Sequence, residues 1–114
     1  MDIPQNYLGV YRKKSTLTQT DIACVMHLPD YSSVSRWENN LRKPNIQAIL
    51  VYHLLFNIPI EELFARQKFD LIPVIAKNIS ERIAELKQMP SDSSTPARIA
   101  FLESVFTRLA SLPA

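Results

Sequence analysis

The chain has 114 residues, 46% of them hydrophobic, a formal net charge of +2 and a single glycine. That length suits one domain, or one small domain with an appended segment, and the apolar share excludes a chain too polar to bury a core. No apolar run approaches the roughly eighteen residues of a membrane span. The start MDIPQNYLG has neither the basic leader nor the apolar core of a signal peptide, and the lone Cys24 has no partner for an intrachain disulfide. The expected setting is therefore a reducing cytoplasm away from membranes.

With so little glycine and scarce strand-like alternation, an all-α protein is expected. Asn6 is placed to cap a first helix over residues 7–14, with Leu8 and Tyr11 turned inward. Thr18, followed three residues later by Asp21, approaches a capping box for a second helix over 19–27, where Ile22, Ala23 and Met26 recur at helical spacing. Asp30 suits the N-cap of a third helix over 31–39. This helix presents Tyr31, Ser32, Ser35 and Arg36 on one side and Val34 and Trp37 on the other. Pro44 closes the next loop, and Asn45 caps a fourth helix with Ile46, Ile49, Leu50, His53 and Leu54 as its apolar stripe. A short fifth helix opens in Ile58-Pro59-Ile60-Glu61-Glu62-Leu63, where proline and acids suit the first turn.

A sixth helix is expected from Asp70, with Pro73 in its first turn and Ile72, Ala76, Ile79, Ile83 and Leu86 at spacings of four and three. MPSDSST at 89–95 is a loop by composition. Pro96 then opens a last helix carrying Ile99, Leu102, Val105 or Phe106, and Leu109. The last two helices make a helical hairpin.

The third helix carries the chemistry. Small polar residues near its N-terminus and an arginine one turn on suit a DNA major groove, where Arg can grip guanine O6 and N7 in bidentate fashion. Tyr31, Ser32, Ser35 and Arg36 are the candidates to reach base edges, while Ser33 reads as a capping or packing hydroxyl. Basic charge gathers nearby: Arg12, Lys13 and Lys14 end the first helix, and Arg36, Arg42 and Lys43 lie in or just after the third. Beyond residue 69 bases and acids cancel. Distribution matters more here than the small sum, although without the motif these would read as solvated surface charges.

LTQ at 17–19, the pair Ile22-Ala23, VSRWENN at 34–40, RKP at 42–44 and FNIPIEELF at 56–64 stand in an order and spacing that resemble the phage repressor and Cro-like (Xre) family of helix-turn-helix DNA-binding proteins. The resemblance covers about residues 7–64. It implies a five-helix DNA-binding domain and a partly buried ion pair between Arg12 and Glu38. It also implies a phosphate contact from Gln19 at the start of the second helix, where the backbone itself favours anions, and a core place for Trp37. Two positions depart from the family pattern. The turn His27-Leu28-Pro29 is one residue longer and lacks the usual glycine, and Asn40 stands where the family carries Gly. Asn is the next most tolerant residue for a left-handed conformation.

Other chemistry finds little footing. Cys24 reads as a small filler on the second helix, and His27 and His53 are too isolated for a metal site. There is no glycine-rich phosphate loop and no Ser-His-acid or paired-carboxylate arrangement, so no enzyme activity, cofactor or metal is expected. The expected organisation is a helix-turn-helix DNA-binding domain over 1–66 and a C-terminal hairpin over 67–114. The expected function is a transcriptional regulator, a repressor, bound to double-stranded DNA. Register would be fixed on phosphates by Gln19, Lys13, Lys14, Arg42 and Lys43. The hairpin would form a homodimer through Ile72, Ile79, Ile83, Leu86, Leu102, Phe106 and Leu109, because one module buries too little surface for tight specific binding. Two alternatives stand beside it: an antitoxin-type autorepressor gripping a toxin with its C-terminal helices, and a protein-interaction module that kept the fold without binding DNA.

Overall fold

Seven helices make up the regular structure of the computed structural model, which describes residues 5–112; Asp2 and the rest of the MDIP start lie outside that range. They are α1 (Leu8–Lys14), α2 (Gln19–Val25), α3 (Ser32–Glu38), α4 (Ile46–Phe56), α5 (Ile60–Leu63), α6 (Ala65–Gln88) and α7 (Thr95–Ala110). No strand occurs among the described residues, so the protein is all-α. None of these helices is long and apolar enough to cross a membrane. The chain divides into two units, Met1–Lys68 and Phe69–Ala114.

In the first unit, Leu8, Ile22, Ala23, Val34, Trp37, Ala48, Tyr52 and Leu63 form one buried cluster, with Tyr11, Met26, Leu28, Phe56 and Phe64 packed against it. Each fully buried aliphatic side chain contributes about 1.5–3 kcal/mol. Helix α1 packs on α3 and α4, α2 on α3, and α4 on α5. The α2 start is a true capping box: Thr18 Oγ1 accepts from the Asp21 N–H at 3.1 Å and an Asp21 carboxylate oxygen from the Thr18 N–H at 2.8 Å.

The connections between helices are closed without glycine. His27 has φ 57° and Asn40 φ 60°. After α2, Leu28 N–H donates to Ala23 O and His27 N–H to Cys24 O; after α3, Leu41 N–H donates to Arg36 O and Asn40 N–H to Trp37 O. Both ends thus use the left-handed cap that satisfies two last-turn carbonyls. Asn40 takes the left-handed conformation expected of it, and His27 supplies the one the missing glycine would have supplied. Thr16, at φ 72°, is the most strained of the set because it is β-branched.

Several local expectations need correction. Asn6 does accept from a backbone N–H, that of Leu8 at 3.0 Å, but α1 begins at Leu8 with Tyr7 at the cap position. Asp30 likewise accepts from Ser32 N–H at 2.8 Å, and α3 begins at Ser32, not at Tyr31. Cys24 is exposed, so it fills no core space. On α4 the Asn45 cap holds, its Oδ1 accepting from Ala48 N–H at 2.8 Å. Ile49 and His53 of the expected stripe are half-buried, but the buried face is Ala48 and Tyr52, while Ile46 and Leu54 are 75% and 74% exposed and Leu50 is also exposed. This helix is apolar nearly all round, so spacing could not choose its inner face. The Tyr52 hydroxyl, which finds a partner beneath α3, does. His53 closes the far end, Nδ1 donating to Ile58 O at 2.6 Å.

Helix α6 starts at Ala65, five residues before the expected Asp70, and Pro73 lies inside it. Phe64, with non-helical φ −127°, ends α5, and Ala65-Arg66-Gln67-Lys68 are all good helix formers that let the chain turn straight into α6. Pro73 removes one donor from the ladder and is exposed.

In the second unit Leu86 and Thr95 are buried, and Ile72, Ile79, Ile83, Leu102, Val105 and Leu109 are half-buried. Phe106 lies at the exposed margin, so Val105 is the inward member of that pair. Asp92 builds the turn into α7: its Oδ1 accepts from the N–H groups of Ser94 at 2.8 Å and Thr95 at 3.1 Å. The exposed Lys87–Glu103 pair at 3.6 Å joins α6 to α7 and adds little in water.

Candidate nucleic-acid interface

Helix α3 divides cleanly into two faces. Val34 and Trp37 are buried, whereas Ser32, Ser35, Arg36 and Asn39 recur at i, i+3, i+4 and i+7 on the opposite side, partly or fully exposed. Tyr31, at the helix entry, is also exposed. Local hydrogen bonds already use part of this row. Asn39 Nδ2 donates to Ser35 O at 2.9 Å and to Ser35 Oγ at 3.3 Å. Hydrogen bonds from Ser32 hold the Asp30 carboxyl below the usual carboxylate range, with the charge of Arg36 adding to the effect.

Behind this face the helix is held by a buried polar cluster centred on Glu38. Arg12 Nε donates to Glu38 Oε2 at 2.8 Å and Arg12 Nη2 to Oε1 at 2.9 Å. Tyr52 Oη donates to Oε2 at 2.7 Å, and Gln19 Nε2 to Oε1 at 3.1 Å. The side chains of Arg12 and Glu38 are only 11% and 5% exposed. Thus one carboxylate on α3 collects donors from α1, α2 and α4. The single glycine makes room for it: a Cβ at Gly9 would lie 3.1 Å from Glu38 Oε1. Asn6 fastens the C-terminal end of the same helix, Nδ2 donating to Trp37 O at 3.0 Å and Asn40 Oδ1 at 2.8 Å.

Burial pushes the Glu38 carboxyl up, but hydrogen bonds from Arg12, Tyr52 and Gln19 outweigh it and leave the group below its ordinary value. Burial and the hydrogen bond to Glu38 both push the Tyr52 hydroxyl up. A carboxyl lowered in the folded state contributes stability above its unfolded value and loses it as pH falls through the folded one. The excess stability of the native chain over Glu38→Gln, followed by urea unfolding, should therefore hold constant from neutrality down to about 4.5 and shrink below it. A difference independent of pH would mean that the fold does not shift the Glu38 carboxyl at all, and one that grows as pH falls would mean that the fold holds it neutral.

The remaining sequence candidates flank the α2–α3 pair. Lys13 and Lys14 are exposed at the end of α1, Lys14 Nζ lying 5.3 Å from the centre of the Tyr11 ring. Arg42 and Lys43 are exposed in the loop after α3. Gln19 sits at the first position of α2. One of its two amide N–H groups is engaged by Glu38, which leaves the other for an outside acceptor. The links from Glu38 to Gln19 and Tyr52, and from Asn6 to α3, carry no sequence signal, since each joins residues far apart in the chain. No group of His, Cys, Asp and Glu side chains among the described residues could hold a metal ion. Compared with protein-family models, curated proteins and solved structures, the chain finds no match.

Proposed function

We propose that the chain is a sequence-specific double-stranded DNA-binding transcriptional regulator, a repressor, in which α2 and α3 act as a helix-turn-helix and α3 enters the major groove. The observation that carries this reading is the outward row of α3, exposed in front and locked from behind by Glu38 and Asn6. A reading helix must be rigid to discriminate between bases. Arg36, Ser35, Ser32 and Tyr31 would address base edges. Lys13, Lys14, Arg42, Lys43 and the outward N–H of Gln19 would address phosphates. The repressor-like pattern of residues 7–64 points the same way, and such a protein would work in the cytoplasm.

The test is duplex binding by fluorescence anisotropy at increasing salt. Four cations on phosphates should give a log–log slope of roughly −3 to −4 per module, and Lys43→Ala should reduce it by about one. Binding that is absent, or insensitive to salt, would leave the protein-interaction module as the better reading.

A homodimer completes the proposal. On the second unit Phe69, Leu71, Val74 and Phe101 are each more than half exposed, apolar side chains that a second copy could cover. The expected stripe from Ile72 to Leu86 is half-buried except at Leu86, which is buried, so the exposed part of its isoleucines would be covered by the second copy. Sedimentation at tens of micromolar should show a dimer that Val74→Glu with Phe101→Glu converts to a monomer. A native chain already monomeric would count against dimerisation and favour an antitoxin-like partner for the same surface.

A further inference from the structure

A groove of about 430 Å³ opens in the first unit between the loop after α3, helix α4 and the start of α6. Its floor is apolar, formed by the half-buried Pro44, Ile49 and Phe64, while Arg42, Lys43 and Gln67 stand exposed at its rim. Neither Arg42 nor Lys43 is paired with an acid among the described residues. The walls are preformed. Arg42 N–H is tied to Arg36 O at 3.3 Å, the left-handed Asn40 is bonded to Asn6, and Asn45 caps α4 immediately after Pro44. Small-molecule sites share this character: a few hundred Å³, an apolar lining, and a small number of polar groups that fix orientation.

We propose that this groove binds a small organic carboxylate with a flat apolar body, its ring on Pro44, Ile49 and Phe64 and its carboxylate between Arg42 and Lys43. An uncharged ring would gain only the floor, and a bare inorganic anion only the rim. The combination selects an aromatic or similarly bulky acid. A guanidinium with no internal partner is the side chain best shaped to take a carboxylate in bidentate fashion. One consequence rests on the DNA-binding reading: Arg42 and Lys43 are also the proposed phosphate contacts, so the bound acid would compete with duplex DNA and act as an inducer.

The site is tested without DNA, by following backbone amide resonances of the full chain during titration with 1-naphthoate and, separately, its uncharged analogue 1-naphthamide. Naphthoate should shift resonances of residues 42, 43, 45, 49 and 64 in a saturable way, and bind at least about tenfold more tightly than the amide. Arg42→Ala with Lys43→Ala, both exposed and outside the core, should erase that preference while leaving the spectrum dispersed. No saturable shift up to about 10 mM, equal affinity for acid and amide, or an unaffected double variant would each overturn the site. In a second arm, saturating naphthoate should weaken duplex binding by the native chain about tenfold or more. Unchanged duplex affinity would overturn the inducer role. A chain that takes naphthoate but never binds duplex would instead overturn the DNA-binding reading and leave the site standing.

Discussion

Arg12→Met should lower the unfolding free energy by about 3 kcal/mol, the largest loss expected of any single change outside the apolar core. The reason is the state of Glu38 after the change. Its carboxylate, 5% exposed, would keep the hydrogen bonds from Tyr52 and Gln19 but lose both guanidinium donors and the positive charge paired with it. A buried charge without its partner costs several kcal/mol, whereas an apolar replacement of the whole pair can be nearly neutral. Arg12→Met with Glu38→Leu should therefore recover much of the loss. Recovery should stop short, because the Tyr52 hydroxyl is then buried without an acceptor. Adding Tyr52→Phe should return a further part, about 1 kcal/mol or more. Urea unfolding of the single, double and triple variants checks this. Strict additivity of the two single effects would show that Arg12 and Glu38 do not act as a pair.

Arg36→Ala should cost about 1–3 kcal/mol on the preferred duplex and relax the preference at one base pair per half-site. Unlike Arg12, Arg36 is exposed and holds nothing in the fold, so thermal stability should hardly change. Gln19→Ala should behave differently, weakening binding by a similar factor on every sequence and also lowering stability, since its amide supports Glu38. That double signature separates a phosphate contact with a structural duty from a base reader. A loss of affinity from Arg36→Ala that is uniform across sequences would place Arg36 on a phosphate instead.

How much of this was legible in the sequence depended on contrast. Helix α3 alternates serines and an arginine with valine and tryptophan, so its two faces could be assigned from spacing alone. The Thr18–Asp21 and Asn45 caps are local and were equally readable. Helix α4 offered no such contrast: Ile, Leu, Val and Phe surround it, and its inner face was decided by Tyr52 reaching a carboxylate fourteen positions earlier. The Arg12–Glu38 pair came only from the family resemblance, while the bonds of Gln19 and Tyr52 to Glu38, and of Asn6 to Trp37 and Asn40, came from neither spacing nor resemblance. Left-handed caps at Thr16 and His27 were hidden for another reason. These residue types rarely adopt that conformation, and only the surrounding packing imposes it. The start of α6 was missed because Pro73 invited a helix beginning nearby, although the four residues after Phe64 already favoured one.

Selection of bound duplexes from a random DNA library tests the central claim most directly. The expected result is an enriched motif of two related half-sites about one helical turn apart. Repeating the selection with Arg36→Ala should lose the preference at one position in each half. A library that returns unenriched, or an enriched motif that Arg36→Ala leaves intact at every position, would contradict the assignment of α3 as the reading helix.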